Sequence, residues 1–446
     1  MTNFRALLTF LFVLLAMTAP MVRAATFFVD DDASGNEDGS SWPDAFTDLQ
    51  GGLAGAGSGD QIWVAAGRYV PGAIETDTFQ LLNGVEIYGG FEGLSGTEGD
   101  FGVRDPETFL TILSGDIEGN DTVGTKGLVT DTSNIVGSNS DHIVTGSGTD
   151  NTAVLDGFTI NAGQADGSSS FETLGGGMLN NEGSPTLSNL IFFSNAASDE
   201  GGGMVNIGGT LQTGPTLTNV VFSRNSAVSG GGMFSCGIDP TLIECTFSEN
   251  SALNDAGGGM YNTGNNPMLI NCTFFGNSAL IGGGMSNESG GDPTLINVVF
   301  SGNFGNGSGG GMVNRSSFPT LINCTFSGNY ACSNGGGMLN LADPDGGGSN
   351  PIIQNCVFGG NSAASGNQIF NQGATATITD SLIQGGCPAD ANCTGTLLTS
   401  DPLFVAPDGA DNTIGTPDDN PRTSVGFSRH QHGKQRSSPT RRLRLG

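Results

Sequence analysis

Two acidic loops carry the metal chemistry that this sequence offers: Asp31, Asp32, Asn36 and Asp38 within DDDASGNED, and Asp408, Asp411, Asp418 and Asp419 within DGADNTIGTPDD. Clustered carboxylates and asparagine oxygens suit calcium, a hard cation that extracellular modules bind weakly through oxygen ligands. Neither loop has the DxDxDG spacing of an EF-hand, so solvated turns are the alternative to calcium, and no other cofactor is expected. Among the 8 cysteines, Cys387 and Cys393 in CPADANC are spaced for a loop disulfide in an exported chain. No CxxC or adjacent histidine supports zinc, and Cys236 and Cys332 receive no role.

Catalytic bases are scarce. His142, in DHIVTG, reads as a strand-edge or core residue, while Arg224 and Arg315 fall at different places in a repeated pattern and read as solvated surface charges. Glycan cleavage by elimination needs a base beside calcium-binding acids. Hydrolysis needs grouped carboxylates with cationic support. The repeats hold no Lys and no His, so no catalytic residue is assigned and the sequence leans against an enzyme.

The elements that would position these groups are written in a repeat. GGGM ends at Met178, Met204, Met233, Met260, Met285, Met312 and Met338, at intervals of 25 to 29 residues. Such a period marks a stacked architecture. The second half of each repeat follows a proline, as in PTLTNVVFSRN and PTLINCTFSGN. There Leu190, Val220, Cys245, Cys272, Val298, Cys324 or Cys356 stands two residues before Phe192, Phe222, Phe247, Phe274, Phe300, Phe326 or Phe358. Alternation of this kind predicts a strand with one buried face. The apolar residue two after proline is out of phase, which predicts a bend. An asparagine three residues after each Phe, from Asn195 to Asn361, predicts a stacked ladder at a turn. The glycines predict tight corners between layers. Together these give an all-β fold, a right-handed single-stranded parallel β-helix of about 26 residues per coil. A propeller blade would need about 40 residues, and helical solenoids do not tolerate so many glycines.

Residues 1–24 read as a signal peptide, with Arg5, an apolar run and small residues before the cut. No later stretch is apolar enough to span a membrane. Residues 25–150 read as an N-terminal cap with irregular first coils, 151–400 as the regular repeats, 401–420 as an acidic loop and 421–446 as an aberrant basic tail. All 43 acidic residues lie between Asp30 and Asp419, against five basic ones: Arg68, Arg104, Lys126, Arg224 and Arg315. That balance argues against nucleic acid and anionic membranes and leaves extracellular glycans or surface proteins as partners.

FxxN paired with a glycine run and an apolar residue resembles the repeat of the polymorphic outer membrane proteins, although GGGM stands here where that family tends to have GGAI. The order of segments resembles more closely the secreted bacterial right-handed β-helix proteins with varied C-terminal anchors. TFFVDDDASGNEDGSSWPDAFTDLQ, GDQIWVAAGRYVPG, VEIYGGFEG, VLDGFTI, the GGGM repeats and DPLFVAPDGADNTIGTPDDN carry that resemblance. It implies export, a β-helix and surface attachment, and no established reaction. The tail run SRHQHGKQRSSPTRRLRLG reads as a shift of reading frame, because codons one base out of phase give a segment similar to the SPAIDAG-like stretch of such proteins. The expected function is a secreted or cell-surface, non-enzymatic protein in adhesion or envelope structure. The alternative is a polysaccharide-binding or polysaccharide-cleaving, pectate-lyase-like β-helix.

Overall fold

The structure is a computed structural model and describes residues 24–95, 101–252, 254–342 and 348–402. It is a right-handed parallel β-helix. One coil shows how the sequence makes it: strands Met260–Thr263, Met268–Ile270, Thr273–Phe275 and Ser278–Ile281 are separated by corners, and the next coil restarts at Met285. Among the described residues these strands pair in parallel with their equivalents, and like residues fall in register. Met233 pairs with Met260 and Met260 with Met285, while Phe247 pairs with Phe274 and Phe274 with Phe300.

The core is a set of inward columns. Phe192, Phe222, Phe247, Phe274, Phe300, Phe326 and Phe358 are all 0 % exposed. Successive rings are 4.4 to 4.8 Å apart and within 10° of parallel. Strand spacing thus imposes ring spacing. Methionines, leucines and the Leu, Val or Cys column fill the rest.

The asparagine after each Phe is not the residue that turns the corner. Asn195, Asn225, Asn250, Asn277, Asn303, Asn329 and Asn361 point inward and are buried. The left-handed residue is the one before it, such as Ser194, Arg224, Glu249 and Gly276. From Asn225 to Asn361 each ladder amide donates twice and accepts twice. Asn277 Nδ2 donates to Phe247 O and to Asn303 Oδ1, both at 2.9 Å, while its Oδ1 accepts from the Asn250 backbone and from Asn250 Nδ2. The left-handed asparagines are a second set, at the bend after proline: Asn189, Asn219, Asn271, Asn297, Asn323 and Asn355, with φ between 51 and 58°. A short polar side chain tolerates that conformation.

The glycine triplet has three separate causes, visible at Gly230–Gly232. Gly230 has φ +62°, a conformation that L side chains rarely adopt. A Cβ on Gly231 would run into the Ser251 carbonyl oxygen, and one on Gly232 would stand 2.5 Å from Gly259 O and 2.9 Å from the Phe247 ring. Coil stacking therefore excludes a side chain at both.

At the N-terminal end the helix Leu49–Gly55 buries Leu49 and Leu53 beside Val29 and Ile62, with Asp48 capping its first turn. Residues 24–165 form looser coils, and a separate aromatic cluster of Trp42, Trp63 and Phe91 lies outside the main core.

Candidate functional site

Of the first acidic loop, the structure gathers Asp31 and Asp32 with Asp30, their ligand oxygens lying within 4.8 Å of one another. The chain leaves strand Thr26–Val29 and folds over itself here. Asp30 Oδ1 accepts from the Asp32 backbone at 3.0 Å and Oδ2 from the Leu94 backbone at 2.7 Å. Burial pushes the Asp31 carboxyl above the usual range, and Asp32 and Asp30 push it the same way. Three carboxylates at one corner can hold a divalent cation. Asn36 and Asp38 turn elsewhere: the Asn36 backbone donates to Asp44, and Asp38 caps Ser40. Asp408, Asp411, Asp418 and Asp419 lie outside the described residues, as do residues 1–23 and the C-terminal residues 421–446.

A second acidic corner has no signature in the sequence. Asp141 is 2 % exposed and its pKa is pushed up to about 6 by burial and by Glu172, Glu75 and Asp166. Glu172 is held low, chiefly by the Ser169 backbone N–H that it caps. A carboxyl raised beside one lowered is the pattern of an acid and base pair, but Asp141 lies under the segment that Glu172 holds and does not meet solvent. His142 is half-buried, its Nδ1 3.2 Å from Gly175 O, and burial lowers its pKa.

Arg224 and Arg315 are both ion-paired. Arg315 lies 3.6 Å from Glu288 across one coil spacing. Arg224 meets Glu249 at 2.6 Å, its guanidinium 6.0 Å from the Phe193 ring centre. It also helps to line an open cleft of about 380 Å³ with Asp131, Thr132, Asn225, Ser226, Glu249 and Ser251. The cleft forms because the irregular segment carrying Asp131 and Thr132 folds back over the turns of later coils.

Ser226 and Ser251 belong to a row that continues along the axis. The register runs Gln164, Ala196, Ser226, Ser251, Ser278, Phe304, Tyr330. Small or polar residues precede two large aromatic ones, 38 % and 45 % exposed. Their rings are 5.6 Å apart and within 2° of parallel. Leu280, also exposed at 44 %, lies two residues after Ser278 in the strand that pairs with that of Phe304. From Ser251 to Tyr330 is three coil spacings, about 14 Å. The sequence holds a signal for this pair: the residue after each ladder asparagine is Ala or Ser except at Phe304 and Tyr330.

Cys387 and Cys393 are joined in a disulfide, with Cα atoms 6.2 Å apart. Cys245, Cys272, Cys324 and Cys356 are buried in the core column. Cys236 packs beside Val205, Phe234 and Tyr261, and Cys332 is exposed.

No family model matches the chain, and no curated protein matches it. Solved structures with a similar path include the pectate lyase Pel9A, at 12% identity and a TM-score of 0.44, covering 91% of this chain and 90% of that one. A rhamnogalacturonan lyase aligns at 12% identity and a TM-score of 0.34, covering 91% and 96%. The catalytic domain of an α-1,3-glucanase in complex with tetrasaccharides aligns at 11% identity and 0.26, covering 76% and 63%. No helix among the described residues is long and apolar enough to cross a membrane.

Proposed function

We propose that this protein is exported and binds polysaccharide along one outer face of its β-helix, with an extended glycan lying parallel to the axis. The observation that supports this reading is the single row carrying both the polar cleft at Ser226 and Ser251 and the exposed pair Phe304 and Tyr330. Sugars present hydroxyls to charged and amide groups and apolar C–H faces to aromatic rings, so a glycan site needs both kinds of surface. The chain's net charge of -29 repels polyanions, which makes a neutral glycan the better fit. The apolar leader, the Cys387–Cys393 disulfide and the likeness of the repeats to anchored surface proteins support action outside the cell. Binding of this kind would serve adhesion or envelope structure, and cleavage is not part of the proposal. Calcium at Asp30, Asp31 and Asp32 would fix the N-terminal corner rather than meet the glycan.

Affinity electrophoresis of the full chain through gels containing neutral glucan, mannan or xylan, or acidic polygalacturonate, tests this. Retardation by a neutral polymer is expected. F304A with Y330A should weaken it roughly tenfold or more, the equivalent of about 1.4 kcal/mol. Migration unchanged in every neutral gel, or binding that the double variant does not alter, would overturn the reading.

A further inference from the structure

A second inward amide column follows the methionines: Asn180, Asn206, Asn262, Asn287, Asn314, Asn340 and Asn371. In register between Asn206 and Asn262 stands Ser235. On either side the column is a hydrogen-bonded chain. Asn180 Nδ2 donates to Asn206 Oδ1 at 3.0 Å, and from Asn262 to Asn371 each Nδ2 donates to the next Oδ1 at 2.8 to 2.9 Å. Those bonds fix which way every amide faces.

At Ser235 the chain stops. Among the described residues Asn206 Nδ2 has no acceptor and Asn262 Oδ1 no donor, although both residues are 0 % exposed. They stand two coil spacings apart, about 9.6 Å between backbones, too far for a direct bond. Asn265, 1 % exposed, reaches back toward the gap. Its Nδ2 donates to Ser235 Oγ at 2.8 Å and to Ile238 O at 2.9 Å, and its Oδ1 is left unpartnered. Ser235 Oγ in turn donates to Ile238 O at 3.3 Å.

One buried donor and two buried acceptors thus surround a side chain that is shorter than asparagine. Left unmet, each costs stability. An apolar guest would satisfy none of them, and a cation would face the Asn206 N–H group. Water offers two donors and two lone pairs and commonly makes about three bonds when buried. We infer that Ser235 marks a buried hydration site, in which ordered water meets the polar groups that the missing amide leaves unpartnered.

An atomic-resolution crystal structure of the full chain tests this directly. Ordered solvent within hydrogen-bond distance of Asn262 Oδ1 and Asn265 Oδ1 is expected, and empty density there overturns the inference. Ser235→Asn should displace that solvent, complete the column and raise Tm, whereas Ser235→Ala should retain the solvent and lower Tm. A folded Ser235→Asn protein with solvent unchanged at the site would also overturn it. Should that variant fail to fold, the wild-type density alone decides between a filled site and an empty one.

Discussion

The regular coils and the looser N-terminal coils bury polar groups by different chemistry. Between Asn195 and Asn361 the buried polar column is neutral and repeats, because a carboxamide carries both a donor and an acceptor and each copy satisfies the next. Among the described residues of 24–165, single amides such as Asn161 share that work with charges. Arg104 binds Gly89 O and both the carbonyl and the carboxylate of Asp156, whose other oxygen takes Ser188 and Asn189. Arg68 holds Asp116 at 3.0 Å. Carboxylates cannot stack on one another as amides do, since like charges about 5 Å apart repel, so each needs its own cation or set of N–H donors. A periodic solenoid can extend an amide ladder indefinitely, whereas a charged corner has to be built once.

That contrast can be broken most severely inside the ladder. Asn277→Leu should orphan the Asn250 backbone N–H, one bond of Asn250 Nδ2, Phe247 O and one bond of Asn303 Oδ1. The expected loss is about 4 kcal/mol, measured by urea denaturation and insensitive to salt. Stability lost in proportion to ionic strength would contradict the neutral-ladder account. Next in size, Arg104→Met leaves Asp156 buried without its cation, 12 % exposed at the side chain, and should cost about 3 kcal/mol. The same urea denaturation measures that cost.

The smallest effect sharpens the comparison by pH. The folded pKa of Asp141, about 6, lies above its ordinary 3.8, so the folded state holds the proton more tightly than the unfolded one. Asp141 therefore favours folding in acid, and that advantage is lost as pH rises through about 6. Glu172, Glu75 and Asp166 face it, with His142 adjacent. Asp141→Asn should raise stability above pH 7 by about 1 kcal/mol after screening and change it little below pH about 4. An equal shift of Tm at both pH values would dismiss the titration of Asp141 as the cause.

Much of the regular half was legible in the order of residues. Metronomic Met, Phe and Asn positions predicted the columns, because in-register stacking turns a sequence period directly into a spatial one. The Phe-linked asparagine forms the stacked ladder that its spacing predicts, but it does not itself take the turn. It is buried, and its predecessor takes the left-handed turn, a distinction of side-chain direction that composition at a corner does not reveal. The gap at Ser235 was visible as a departure from Asn two residues after Met, yet its meaning rests on Asn265, which enters from the neighbouring coil. Asp30, Asp31 and Asp32 are adjacent in the sequence, while the Leu94 backbone N–H that holds Asp30 comes from the path of the chain.

Coil length, inward columns and glycine corners can be read from the order of residues alone, because these repeat and each copy contacts its own equivalent one coil away. What lies between unlike segments follows from the folded chain. The cleft joining Asp131 to Arg224 and Glu249, the alignment of that cleft with Phe304 and Tyr330, and the burial of Asp141 beneath the Glu172 segment bring together residues with no common period. Their proximity follows from how irregular loops fold back over the solenoid, and the one-dimensional spacing of residues does not encode that path.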